Sequence, residues 1–380
     1  MNKICFVTTV SMTLKIFVID TAKYLHDSGE FDISFICNND EEFFASLPEY
    51  IHYYPVDMVR GIDLGAIKAV ATIAKIFKRE KFDIVQYSTP NAACYASIAS
   101  WVTRVPVRLY CQWGVAYVGF SGVKRKIFKT IEKFVCFLST KIEPDSFGNL
   151  KFSMDEGLYK QSKGLVVWNG SASGVNLQKF DITKKMEWRR DKRSELLIPD
   201  DAIVYIFVGR VTKDKGVNEL FAATRKLMGC TDNAYLLLVG PNEKANTIEM
   251  ELLKWSKNES RVINCGFTDV VEQYLAASDV YVLPSYREGF GSAVVEAEAM
   301  GIPVIVTDIQ GPTDAMQKDV TGIIVQKKSK QQLYNAMKIL YKDQKQRENL
   351  GAAGVKFVTE KFNQKILFEK ILENRKQLLE

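Results

Sequence analysis

The residues best suited to chemistry stand in Arg287-Glu-Gly-Phe-Gly-Ser-Ala-Val-Val-Glu296, where two carboxylates, Glu288 and Glu296, flank a turn with glycines at 289 and 291. Glycine lets a backbone approach a bound group closely, and Ser292 to Met300 reads as a helix whose unpaired N–H groups face whatever the turn holds. Gly301 ends that helix and Pro303 lies beyond it. Glu288 then lies in the loop and Glu296 just over a turn into the helix, so both can point at one ligand from different sides. Carboxylates accept from sugar hydroxyls and N–H groups donate to phosphate oxygens, so a polyhydroxylated anion is the ligand class that fits. A plain helix start, with glycines for the turn and glutamates for the helix dipole, has the same residues.

A second constellation lies upstream. Ile203-Val-Tyr-Ile-Phe-Val-Gly-Arg-Val-Thr-Lys-Asp-Lys-Gly216 reads as a buried strand opening into a cationic loop, with a helix over Val217 to Met228 after it. Arg210 follows Gly209 at the strand's carboxyl end and Lys215 stands just before Gly216, so both can reach one anionic group. A diphosphate suits them: arginine supplies a rigid fork of donors, lysine a compact charge, and together they would stabilise a leaving nucleotide. A solvated basic turn, with Lys213 and Asp214 alongside, is the structural alternative.

The elements that must position these residues alternate along the chain. Strand-like runs at Ile4 to Val10, Ile33 to Cys37, Ile84 to Tyr87 and Val107 to Tyr110 each neighbour an amphipathic helical stretch. The plan repeats at Ile203 to Val208, Tyr235 to Val239, Arg261 to Cys265, Val280 to Leu283 and Val304 to Thr307. Such alternation predicts an α/β chain of two doubly wound domains, each a parallel sheet covered by helices, with ligand loops at the strand ends. Small and turn-forming residues between Val166 and Phe180 mark the linker. The expected divisions are residues 1–172, residues 173–355, and a helical end over 356–380 that packs back on the N-terminal domain.

Composition narrows the function classes. The 380 residues are 47% apolar and 25% charged, a soluble two-domain balance, and a net charge of +6 spread along the chain gives no support for nucleic-acid binding. Seven cysteines, an odd number without Cys-x-x-Cys, read as reduced core thiols of a cytosolic protein. Two histidines, His26 and His52, lack a metal-ligand pattern, which argues against zinc catalysis and a serine-histidine triad. The Gly-x-Gly-x-x-Gly fingerprint is absent, and the 209–216 loop lacks the Gly-Lys-Ser/Thr ending of a P-loop, so nicotinamide and P-loop ATP chemistry are disfavoured. No Asp-x-Asp pair is present to hold a divalent metal on a diphosphate, so the expectation is a metal-free site with no cofactor. Met1 to Val10 reads as a first buried strand rather than a signal peptide, its apolar run being broken by two threonines.

As an ordered set, Gly-Arg-x4-Lys-Gly at 209–216, Ala277-Ser-Asp-Val-Tyr-Val-Leu-Pro-Ser285, Glu288-Gly-Phe-Gly-x4-Glu296, Ala299-Met-Gly-Ile-Pro-Val304 and Asp308 resemble the retaining family 4 glycosyltransferases of GT-B fold. The first half is similar more weakly, through Lys124 to Cys136 and Asn169-Gly-Ser171, and there it resembles bacterial transferases that build capsule, O-antigen or glycan chains on lipid carriers. The resemblance implies two Rossmann-like domains facing across a cleft and a nucleotide-sugar donor, with UDP taken as the commonest base. By it, Arg210 and Lys215 bind the donor diphosphate, Glu288 holds donor-sugar hydroxyls near the reacting carbon, and Glu296 binds the ribose. Gly209 belongs to the same donor set, backbone groups of Phe290, Gly291 and Ser292 contact sugar and phosphate, and Gly266-Phe267 borders the base.

On the acceptor side the chain departs from many relatives. It reads Thr8-Thr9-Val10 where they have a glycine-rich loop, and Trp113-Gly114 where several have histidine before glycine. Thr9, Trp113 and Gly114 are the acceptor-side positions, and Trp113 either stacks on a sugar face or fills the core. Lys124 to Leu138 combines five cations with an apolar helical stripe. It reads either as a helix resting on an anionic leaflet, useful for a lipid-linked or oligosaccharide acceptor, or as an ordinary amphipathic helix on the sheet. The rival functions are a GT-B-fold sugar-nucleotide epimerase, which needs acid/base groups that two distant histidines do not supply, and a nucleotide-sugar binding protein without turnover.

Overall fold

The computed structural model describes all residues except 59–63 and 242–246, together with the side chain of Leu64. The chain forms two units, Met1–Ser173 with Lys365–Glu380, and Gly174–Gln364.

The first unit runs β1 (Asn2–Val7), α1 (Ser11–Phe17), α2 (Ile19–Asp27), β2 (Phe31–Cys37), α3 (Glu41–Ser46), β3 (Ile51–Pro55), α4 (Leu64–Glu80) and β4 (Ile84–Tyr87). It continues through α5 (Pro90–Val102), β5 (Val107–Gln112), α6 (Gly122–Leu138), β6 (Lys141–Pro144) and α7 (Phe147–Asp155). All six strands are parallel, in the order β3-β2-β1-β4-β5-β6. The order reverses between β1 and β4, which sets the ligand crevice of such sheets at the carboxyl ends of those two strands.

The second unit runs α8 (Lys185–Glu195), β7 (Ile203–Val208), α9 (Val217–Met228), β8 (Ala234–Val239), α10 (Met250–Asn258), β9 (Val262–Gly266) and α11 (Val271–Ala276). It continues through β10 (Val280–Leu283), α12 (Ser292–Ala299), β11 (Val304–Thr307), β12 (Gly322–Val325), α13 (Lys330–Lys342) and α14 (Gln344–Lys361). The parallel order is β12-β11-β10-β7-β8-β9, the same winding, with its switch point between β7 and β10. β10 and β11, Val-Tyr-Val-Leu and Val-Ile-Val-Thr, are buried throughout, as strands covered on both faces must be.

The two doubly wound α/β layers expected from the alternation are present. The chain passes between units at Ser173 and Gly174, inside the stretch read as a linker. The expected break after residue 355 falls inside α14, which stays helical to Lys361 within the second unit. Within α14, a Cβ at Gly354 would stand 3.1 Å from the Glu298 Cβ, and one at Gly351 would stand 2.4 Å from the Gly301 carbonyl oxygen. Both glycines let α14 press against α12. The last helix, α15 (Gln364–Gln377), joins the first unit. Its buried Arg375 donates to both carboxylate oxygens of Glu143, at 2.7 and 3.1 Å, and to Gln86 Oε1.

Candidate functional site

The switch point of the second unit explains why the two sequence constellations meet. The loop after β7 carries Gly209, Arg210 and Lys215, and the loop after the adjacent β10 carries Glu288. Lys215 folds into a short 3-10 turn, Lys213–Lys215, and Gly216 takes φ +72° to start α9. A Cβ at Gly216 would stand 2.0 Å from the Pro284 carbonyl oxygen, so only glycine lets the two loops close on one another. Across that contact the Lys215 Nζ donates to Glu288 Oε1 at 2.6 Å and Oε2 at 2.8 Å. Both side chains are largely buried, so the pair is shielded from solvent screening.

Asp214 ties the loops a second time: its carbonyl accepts from Tyr286 N at 2.9 Å and its carboxylate pairs with Arg287 at 3.0 Å. Burial works against ionisation of Asp214, but the Thr212 hydroxyl and the charges of Arg287, Arg210 and Lys215 outweigh it and hold the carboxyl below its usual range. Arg210 is half-buried at the same loop.

Glycines stand at the carboxyl ends of three neighbouring strands: Gly209 directly after β7, Gly240 directly after β8, and Gly266 as the last residue of β9. Gly240 N donates to Gly266 O at 2.7 Å, and a Cβ on Gly240 would stand 2.1 Å from Gly209 O. Gly240 is a residue the sequence reading missed, although its place directly after an apolar run is the same signal that marked Gly209. Gly266 adopts φ +67° with open space where a side chain would go, and Phe267 beside it is 61% exposed.

The turn at 289–291 is braced from another loop. A Cβ on Gly311 would stand 1.6 Å from Gly289 O, so Gly311 is a second residue the sequence reading did not single out. Phe290 points its ring inward against Phe362, 5.1 Å between centroids, leaving only its backbone for the site. Gly291 takes φ +87° as the N-cap of α12, and no side chain caps the N–H groups that begin with Ser292. Glu296 lies one turn further on. Some of its surface stays accessible, yet burial pushes its carboxyl up to about 7, with Lys179 opposing and Glu272 adding to the shift. Tyr281 on β10 is buried with its hydroxyl unpartnered. Burial first, then the charges of Glu288 and Glu296, raise that hydroxyl well above its ordinary value.

The residues expected on the acceptor side lie in the first unit. Thr9 sits at the β1/β4 switch point, where its hydroxyl shares a hydrogen bond of 2.9 Å with Thr89 and accepts from Ala92 N. Trp113 is half-buried and packs on Phe17 at 5.5 Å, so one of its faces belongs to the core edge. Gly114 follows with φ +94°. On α6, Glu132, Val135, Cys136 and Leu138 are buried. Arg125 and Lys129 pair with Glu156, and Lys126 and Lys133 are exposed.

Residues 189–357 match the family model described as glycosyl transferases group 1, and residues 3–145 match glycosyl transferase 4-like. A capsular polysaccharide biosynthesis glycosyltransferase, CapM, of Staphylococcus aureus is 31% identical over 343 residues, 90% of this chain and 88% of the relative. The UDP-Gal:alpha-D-GlcNAc-diphosphoundecaprenol alpha-1,3-galactosyltransferase of Escherichia coli is 24% identical over 317 residues, 81% of this chain and 79% of the relative. Among solved structures, a glycosyltransferase from Rickettsia africae superposes with a TM-score of 0.81 at 21% identity, covering 100% of this chain and 99% of that one.

Proposed function

This chain belongs to the group 1 glycosyltransferases, enzymes of GT-B fold, and we propose that it moves a sugar from a nucleoside-diphosphate donor, a UDP-sugar, to a lipid-linked or oligosaccharide acceptor of a growing surface glycan, with retention of anomeric configuration. The observation that carries this reading is the Lys215–Glu288 pair bridging the loops after β7 and β10.

An ammonium has three N–H donors, of which Glu288 takes two, and a carboxylate has further lone pairs for hydroxyls. Lys215 therefore reaches a donor phosphate while Glu288 holds the sugar's hydroxyls beside it. Arg210 supplies a second cation to the diphosphate. Backbone groups of Phe290, Gly291 and Ser292 at the start of α12 contact sugar and phosphate, Glu296 accepts from the ribose, and Gly209 and Gly266 leave room for the backbone to approach. Phe267 offers an exposed ring to the base.

In the reaction the bond from the anomeric carbon to the diphosphate oxygen breaks, and its electron pair leaves with the nucleotide. The acceptor oxygen bonds to the same face of that carbon, and its proton passes to a phosphate oxygen of the leaving diphosphate. Two cations on the diphosphate stabilise the growing charge and take the role a divalent metal has in other sugar transferases. No side chain has to deliver a proton, in keeping with two histidines that both lie outside the donor unit. An epimerase would need such groups around the sugar.

Among the described residues no helix is long and apolar enough to cross a membrane. A lipid-linked acceptor is then met by peripheral contact of residues 124–138 with an anionic leaflet on the cytoplasmic face, a reading supported by the exposed Lys126 and Lys133 beside exposed apolar side chains. The test is a thermal-shift screen of nucleoside diphosphates followed by transfer of the matching sugars onto membrane lipid extracts. A rise in Tm with UDP and label in the lipid fraction support the proposal; no shift with any diphosphate would sink it.

A further inference from the structure

The first unit carries an apolar groove far in the sequence from the donor loops after β7 and β10. It lies over α5, between α4 and α6, with a volume of about 690 Å³. Ile67, Val70, Ala71 and Ala74 form one wall, Ile98 and Val102 the floor, and Ile131 and Phe134 the other wall; no polar surface faces into it. Two of its lining side chains are widely exposed, Ile67 at 68% and Val102 at 60%, and the helices that form it carry further exposed apolar side chains at Trp101 on α5 and Val123, Ile127 and Phe137 on α6. A contiguous apolar face of this kind marks a binding surface, because water gains nothing from wetting it.

Charge selects the occupant. On α6 the spacing of Lys126, Lys133 and Phe137 at i, i+7 and i+11 puts two exposed cations on the outward face with Phe137, one step around the helix from Phe134, which lines the groove. On the opposite wall, Lys75 and Lys78 follow Ala71 and Ala74 in the last turns of α4 and are exposed. An oily trough flanked on both walls by ammonium groups matches a hydrocarbon chain whose head carries negative charge.

We propose that the groove between α4 and α6 takes up one hydrocarbon chain of an anionic lipid from a membrane leaflet, while the flanking lysines hold phosphate headgroups. The proposal deepens the reading of α6 as a peripheral membrane contact and rests on it. Lysines alone give a contact that salt removes. A slot adds a salt-resistant part, and burial of about two methylenes is enough for roughly a tenfold change in partition.

The experiment floats the full chain with vesicles of roughly seven parts phosphatidylcholine to three parts phosphatidylglycerol, in low and high salt. Quenching of Trp101 by lipids brominated in the acyl chain is read in parallel, with Trp101→Phe as the background. Ala71→Phe narrows the groove at an exposed position, Ile67→Gln makes its wall polar, and the double change Lys126→Glu with Lys133→Glu removes the cations. The wild-type chain should float, keep a salt-resistant fraction and show quenching. Ala71→Phe and Ile67→Gln should each lose roughly tenfold in binding and the quenching with it, while transfer to a water-soluble acceptor is unchanged. Salt-labile flotation that Ala71→Phe leaves intact overturns the slot but keeps the α6 contact; no flotation of the wild-type chain overturns both. A concentration-dependent dimer abolished by Ala71→Phe would give the groove to a second copy and likewise end the proposal.

Discussion

Lys215 and Glu288, 73 residues apart, meet through two charged hydrogen bonds of 2.6 and 2.8 Å between the loops that follow β7 and β10. Their meeting is a consequence of strand order: β7 and β10 are neighbours at the one place in their sheet where the winding reverses. Removing the ammonium takes away the partner of a largely buried carboxylate and, on the proposed reading, a cation from the diphosphate. Lys215→Ala should reduce kcat by about 100- to 1,000-fold, as loss of one group that stabilises transition-state charge does elsewhere. Single-turnover transfer measured beside circular dichroism separates that loss from unfolding.

The ribose contact proposed for Glu296 predicts that donor binding depends on pH. Its carboxyl is raised from 4.5 to about 7, burial being the main cause, and a ribose hydroxyl is best accepted by the ionised form. The donor KM should therefore fall as pH rises through about 7, and Glu296→Gln should flatten the profile while raising KM at pH 8. Stability moves the other way. The folded carboxyl holds its proton more tightly than the unfolded one, so its contribution is fully present below pH 4.5 and is lost as pH rises through 7. Glu296→Gln should accordingly stabilise the fold at pH 8, by on the order of 1–3 kcal/mol, a change visible in urea melts at pH 5 and pH 8.

Two glycines with nearly the same φ should answer differently to alanine. Gly216 at +72° faces the Pro284 carbonyl, whereas Gly266 at +67° faces open space. Gly266→Ala should cost only the left-handed backbone penalty of about 1–2 kcal/mol. Gly216→Ala must also move a loop, and its Tm should fall well below that of Gly266→Ala in the same differential scan.

Phe267 is exposed and has little to do with stability. Phe267→Ala should leave the unfolding free energy within about 0.5 kcal/mol of wild type and weaken nucleoside-diphosphate binding, measured by calorimetry. Binding as tight as wild type would remove Phe267 from the base-binding loop.

Much of this was legible because long apolar runs in covered parallel strands leave a strong signal. Ile203 to Val208 and Val217 to Met228 come out with the bounds read from the sequence. β3 and β6 lie at the two edges of the first sheet, where half-buried residues suffice; Ile-His-Tyr-Tyr-Pro and Lys-Ile-Glu-Pro carry no apolar run to read. In the site, motif spacing located the charged residues, but it gave no sign of Gly311, whose role is to clear the Gly289 carbonyl from a loop distant in sequence. Gly354 serves close approach in the same way, making room for Glu298 on α12. Close approach is a tertiary property, and one chain does not announce which of its glycines serves it.

The central claim, that Glu288 holds the donor sugar at the reacting carbon rather than merely anchoring a loop, is tested most directly by Glu288→Gln, which keeps size and hydrogen-bonding shape. Nucleoside-diphosphate affinity and sugar-transfer rate are measured on the same preparation. The account predicts affinity within about twofold of wild type and a transfer rate lower by at least about 100-fold. Transfer at the wild-type rate with intact binding would contradict it.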